Sequence, residues 1–213
     1  KVGNIKFAKF TFFAQGGFNV ANIFNADKAN FTNNAVYREM EDPLESDVNS
    51  NTVKAYRKAI DVMTSKDDVD IQLLAIPGIR NSSVTNYAIQ KVEDRFDAMY
   101  IMYIEERDQS NSVITSSAIQ DVNINHTKTA FKNRNLDTSF AAAYFPDVLS
   151  VDPDTQQTVQ VPPSVPVLGA FSFNDSVAHP WFAPAGFSRG SLSAVSFPFT
   201  YLKQSELDTL YSV

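Results

Sequence analysis

Cysteine is absent from the 213 residues, and histidine, tryptophan and glycine are scarce, with two, one and seven copies. The first absence removes disulfides, a thiolate nucleophile and cysteine metal sites together. Two histidines far apart in sequence, His126 and His179, would leave carboxylates to do most of the work in any zinc site. Bases are outnumbered by acids, 18 to 24, for a formal net charge of −6, and no lysine or arginine cluster is longer than a residue or two. A nucleic-acid footprint is therefore missing. No apolar run approaches the roughly 18 residues that span a bilayer, Lys1-Val2-Gly3-Asn4 does not open a signal peptide, and the phosphate-binding pattern G-x-x-x-x-G-K-[ST] does not occur. Sequons at Asn30, Asn81, Asn125 and Asn174 are what chance produces in an asparagine-rich chain. An intracellular or virion setting is expected.

What is abundant is apolar and aromatic: 44% of residues are hydrophobic and 17 are phenylalanine. That suffices for a globular core in one large domain, or one and a half. Ile5 to Ala14 alternates imperfectly and ends at Gly16-Gly17, a strand and turn, and residues 19–45 carry short helical spacings. From Asn51 to Met63, Val53, Tyr56, Ala59, Ile60 and Met63 recur at three- and four-residue steps behind a polar cap at Ser50 or Asn51. Lys54, Arg57, Lys58 and Asp61 fall on the opposite, solvated face.

Residues 70–79 are a continuous apolar run stopped by Pro77-Gly78, the pattern of a strand buried on both faces. A helix capped by Ser82 or Ser83 follows through Arg95, with Val84, Ala88, Ile89, Val92 and Phe96 inward. Residues 98–104 form a second buried run. Strand, helix and strand make a βαβ unit, with a parallel pair and a right-handed crossover. Glu105, Glu106 and Asp108 lie just past that second strand, where open α/β sheets hold ligands and catalytic acids; the competing reading is a solvated acidic loop. Residues 125–135 suggest a short polar helix, with Lys128, Lys132 and Arg134 the nearest approach to a basic patch and His126 a surface or capping residue. Phe140 to Val151 reads as a third strand, its second half demoted to an edge or bend by Pro146. Asp152-Pro153-Asp154-Thr155 is a turn, and Thr158–Val161 returns from it as a hairpin arm. Asp147, Asp152 and Asp154 lack the following glycine and glutamate of an EF-hand. Ser164 caps a helix to about Asp175 with Val167, Ala170, Phe171 and Asn174 on one stripe, and His179 at its exit meets a local carbonyl. Val195–Tyr201 is strand-like with Pro198 breaking it, and Gln204–Tyr211 is an amphipathic helix.

Between these lies the most unusual stretch, residues 179–192, HPWFAPAGFSRGSL. Two readings compete. Gly186-Phe187-Ser188-Arg189-Gly190 fits the G-x-S-x-G nucleophile pattern of α/β-hydrolases, with Asp175 or Glu106 as an acid, but Ala183-Pro184-Ala185 is not a buried strand and both histidines precede Ser188, whereas the hydrolase order is Ser, acid, His. The alternative is a packed surface loop in which Trp181, Phe182 and Phe187 anchor an irregular backbone over the core, with Trp181 expected to pack.

Residues 181–190 also resemble a loop of the contractile tail sheath proteins of long-tailed bacteriophages, in which a helix leads into W-x-A-P-A and a glycine-containing turn. The resemblance extends in order through Ala75-Ile76-Pro77-Gly78-Ile79, Phe96-Asp97-Ala98-Met99-Tyr100, Ala142-Ala143-Tyr144-Phe145-Pro146-Asp147 and Val161-Pro162-Pro163-Ser164, and more weakly to Phe13-Ala14-Gln15-Gly16-Gly17-Phe18-Asn19. It covers roughly residues 70–192. It implies a structural subunit and not an enzyme, without cofactor or metal, forming homohexameric rings stacked around a tail tube. Other copies of itself, the tube protein, and baseplate and tail terminator proteins are the implied partners, with no direct nucleic acid and no membrane insertion. Contraction in the virion, after assembly in the host cytoplasm, would drive the tube through the host envelope without nucleotide. A sheath subunit of a bacterial contractile injection system or tailocin shares every residue named. Under this resemblance Trp181, Phe182, Pro184, Gly186, Phe187 and Arg189 form a structural or intersubunit loop. The family's N-terminal arm and C-terminal inner domain would lie beyond Lys1 and Val213.

The expected fold is α/β (α+β): a βαβ-containing mixed sheet flanked by helices, with an N-terminal strand and turn region and a β-hairpin arm. One sheath core domain would span 1–213, made of an N-terminal part, 1–69, and an α/β core, 70–213.

Overall fold

The computed structural model describes residues 51–114, 121–179 and 181–212; the expected strand and glycine turn before residue 51 lie outside them. The fold is the expected mixed α/β one; among the described residues its strands form one parallel and one antiparallel three-stranded sheet. Helix α1 (Asn51–Met63) has the predicted bounds. Val53 and Ile60 enter the core and Tyr56 packs against it, while Ala59 and Met63 stay exposed. The charged face of α1 is not simply solvated. Arg57 donates from Nε and Nη2 to the Ser83 carbonyl at 3.0 and 2.7 Å and lies over the Tyr87 ring, and Asp61 accepts from the Tyr87 hydroxyl at 2.6 Å.

Strand β1 (Leu73–Ala75) is shorter than its apolar run and only Leu74 is buried in it, because it is an edge strand. Helix α2 (Ser82–Arg95) is capped by Asn81, whose side chain accepts from the Ser83 N–H at 2.8 Å, and not by either serine. It ends at Phe96, which adopts the left-handed region (φ +64) that a chain needs to leave a helix. That turn directs Phe96 outward, against expectation, with its ring edge-on to Phe140.

Strand β2 (Met99–Tyr103) is the centre of the parallel sheet β1-β2-β3, with Leu74 opposite Tyr100 and Ile101 opposite Ala142. Tyr100, Ile101, Met102 and Tyr103 are all buried, and burial pushes the phenols of Tyr100 and Tyr103 well above their ordinary range. The core is this strand sandwiched with α2, joined by α1 and by Phe131, Leu136 and Phe140. The βαβ unit is therefore present, with its strands parallel.

Helix α3 (Ile124–Lys132) is capped by Asn123 and leads to β3 (Ala141–Tyr144). The predicted third strand does not continue past Pro146. Phe145–Pro146 is a cis peptide, and the proline has no N–H for a ladder, so the chain leaves the first sheet and starts the second. There β4 (Val148–Val151) pairs antiparallel with β5 (Thr158–Val161), and with the two-residue strand β6 (Phe197–Pro198) on its other edge. The β4–β5 turn is held by Asp152, whose carboxylate accepts from the Asp154 N–H and the Thr155 hydroxyl, as expected of a turn residue. Helix α4 (Ser164–Val177) begins after Pro163 and buries Val167 and Asn174 on the expected stripe; Ser164 is its first residue, not its cap. After one-turn helix α5 (Gly186–Arg189), helix α6 (Gln204–Tyr211) matches its predicted bounds and packs on α3. Among the described residues no helix is long and apolar enough to cross a membrane.

The cap of α2 generates a prediction. Asn81→Ala leaves the Ser83 N–H without its acceptor inside the core and should cost about 1–2 kcal/mol in chemical denaturation, whereas Ser82→Ala should be within about 0.5 kcal/mol of wild type.

Candidate functional site

Parallel strands bring their C-terminal ends to one edge of the sheet, and residues shortly after each strand meet there. Past β1 the chain turns at Pro77-Gly78, with Gly78 at φ +89, and presents Arg80 just before the α2 cap. Glu106 follows β2, and Asp147 follows β3. Arg80 Nη2 lies 2.5 Å from Asp147 Oδ2, and Nη1 lies 3.4 Å from Glu106 Oε2. All three side chains are buried; the guanidinium lies 5.0 Å from the Tyr103 ring centre, and Gln160 of β5 donates to Asp147 Oδ2 at 2.7 Å. Burial opposes the charge on Arg80, yet Asp147 and Glu106 outweigh it and raise the guanidinium above its ordinary value. Burial likewise pushes the Glu106 carboxyl up, against the pull of Arg80.

The acidic loop expected to be solvated, or to hold ligands, is thus divided among three tasks. Glu106 is enclosed and has the basic partner that its sequence neighbours do not supply. Glu105 pairs with Arg107 at 2.8 Å. Asp108 accepts from the N–H groups of Ser110 and Ser112 at 2.8 Å each, and its carbonyl lies 3.0 Å from His126 Nδ1. Arg134 is drawn onto α2, donating to Thr85 and Asn86, so it does not make a basic patch with Lys128 and Lys132. No three His, Cys, Asp or Glu side chains among the described residues are grouped to hold a metal ion.

The aromatic loop is organised the reverse way from its sequence reading. Its anchor is polar. Asn174 of α4, fully buried, donates Nδ2 to the Phe182 carbonyl at 2.7 Å and accepts from Arg189 Nη1 at 3.1 Å. Arg189 in turn lies over the Phe182 ring, 5.2 Å from its centre. Gly186 enters α5 at φ +70, and Gly190 packs so closely on Ala185 that a Cβ would lie 3.1 Å from its backbone. With the backbone fixed from beneath, the rings face outward. Trp181 is 75% exposed, Phe182 42% and Phe187 entirely. The expectation that Trp181 anchors the loop by packing is overturned, because the ring is exposed and the buried position beneath the loop belongs to Asn174. Trp181 stacks instead on Phe182 at 4.3 Å and on His179 at 5.3 Å, so His179 contributes a ring face, and its carbonyl accepts the Phe182 N–H at 2.9 Å. Pro184 is half-buried.

Ser188 is exposed in the middle of α5, which follows coil and not a strand, so the strand–turn–helix context of a nucleophile elbow is missing. Its suggested acid Glu106 is committed to Arg80. Ser188 borders an apolar-walled cavity of about 460 Å³ between the β4–β5 hairpin, α4 and the chain from 188 to 195, with Val148, Val161, Val165 and Phe173 among its walls. Two residues central to these sites, Arg80 and Asn174, escape a motif search. The signal for Arg80 is its isolation, since it is the one charged residue between positions 71 and 90; for Asn174 it is a polar side chain on an apolar helical stripe. No protein-family model matches the chain, and no curated protein matches it.

The inverted loop leads to a paired prediction. Trp181→Ala removes an exposed ring and should change the unfolding free energy by less than about 0.5 kcal/mol. Asn174→Ala strands the Phe182 carbonyl and the Arg189 guanidinium and should cost about 1–3 kcal/mol, read from denaturant titrations of both variants.

Proposed function

We propose that this chain is a structural subunit of a contractile phage tail sheath, polymerising as stacked hexameric rings around a tail tube. The observation that carries this reading is the ordered set of sheath-like pieces between residues 75 and 190, ending in the aromatic loop. The geometry of that loop supports it. A polar clasp holds Trp181, Phe182 and Phe187 in solvent, and exposed aromatic clusters of this kind are characteristic of surfaces that meet another protein. The buried Arg80, Glu106 and Asp147 fit the same reading, since they hold together the two sheets of a subunit that moves between two packings, the contracted one lower in free energy. Other copies of the chain and the tail tube protein are the partners, and the virion is the location. A bacterial injection system or tailocin would use the same subunit chemistry.

Negative-stain electron microscopy of the natural full-length protein, purified and concentrated, tests the proposal. Hollow striated tubes are expected, and the double variant Trp181→Ala, Phe187→Ala should keep its melting temperature while forming fewer or no tubes. Discrete particles under every salt and protein concentration tried would overturn the reading.

A further inference from the structure

We propose that the Arg80–Glu106–Asp147 cluster is a proton-operated joint between the two sheets, in which uptake of one proton by Glu106 tightens the joint and its loss loosens it. The inference is independent of the sheath reading. Arg80 and Glu106 follow β1 and β2 of the parallel sheet. Asp147 is bonded throughout the second sheet: its carboxylate accepts from Gln160 of β5, its carbonyl accepts from the Phe199 N–H at 2.8 Å next to β6, and the residue after it begins β4. The cluster is a side-chain link from one sheet to the other.

Among the described residues its charges do not balance: one guanidinium faces two carboxylates, while the Gln160 amide on Asp147 and the Tyr103 phenol beside Arg80 carry no charge at neutral pH. The two acids are not equivalent. Asp147 has the short contact with Arg80 and the amide of Gln160. Glu106 meets Arg80 only at 3.4 Å, and its second oxygen, Oε1, is buried with no hydrogen-bond partner among the described residues. An uncompensated charge is costly in such a place, and the proton that would remove it belongs on Glu106. Burial raises the Glu106 carboxyl and the charge on Asp147 adds to the rise, while Arg80 and the Asp147 backbone amide oppose it. For an acid raised on folding, the stabilisation is complete below the ordinary glutamate range and is lost as pH climbs through the higher folded value.

Thermal melts of wild type and Glu106→Gln across mildly acidic to mildly alkaline pH test the joint. The variant mimics the protonated state, so its melting temperature relative to wild type should rise with pH by a few degrees. Hydrogen-exchange protection of β4 and β5 amides should fall with rising pH in wild type and hold in the variant. A melting offset independent of pH, or protection that falls equally in both proteins, would overturn the proposal. Should Glu106→Gln fail to fold, carbon NMR of wild type labelled at glutamate carboxyls decides alone: one glutamate titrating above the others supports the joint, and all titrating together overturns it.

Discussion

The guanidinium of Arg80 is the point on which the rest of the structure depends. It is placed by the turn after β1, received by an acid after β2 and another after β3, and through the second acid it reaches the antiparallel sheet. Buried ion pairs contribute little net stability, since desolvation offsets much of the attraction, but breaking one leaves a charge stranded. Their effect is on geometry. With Arg80 fixed, the ends of all three parallel strands are fixed relative to one another, and the hairpin cannot pivot away without exposing or abandoning Asp147.

The same logic recurs under the aromatic loop on a smaller scale. Asn174 gives one donor and one acceptor to residues eight and fifteen positions further on, and so converts an irregular segment into a defined surface. The rings then lie on a prepared backbone without having to organise it. Two glycines make this possible, Gly186 by its positive φ and Gly190 by its close approach to Ala185.

Helices α1 and α6 were legible to the residue, and the βαβ unit was legible in outline, because three-to-four-residue spacing and buried apolar runs are local properties. The failures are non-local. Arg57 looks solvent-bound in sequence, and Arg80 carries no motif, because their acceptors lie 26 and 67 residues away. Residues 140–151 look like one strand because nothing local says that the halves on either side of Pro146 belong to different sheets. Aromatic residues mislead for another reason. Phe, Trp and Tyr raise the expectation of burial, but beside proline and glycine they are equally suited to a surface, and only the competing claim of Asn174 on the buried position decides between the two. Asn81 shows the same competition at a helix start, where three adjacent polar residues could each cap and geometry selects the first.

The exposed stack of Trp181 also determines how this protein can be observed. As the sole tryptophan, it places the dominant intrinsic fluorophore at an exposed position, stacked on His179 and Phe182. Tryptophan emission from this chain therefore tracks the surroundings of one loop, while Tyr100 and Tyr103 lie in the core. Tyrosine signals mix that interior with the surface, because Tyr201 and Tyr211 are exposed, so the tryptophan alone reports a single place.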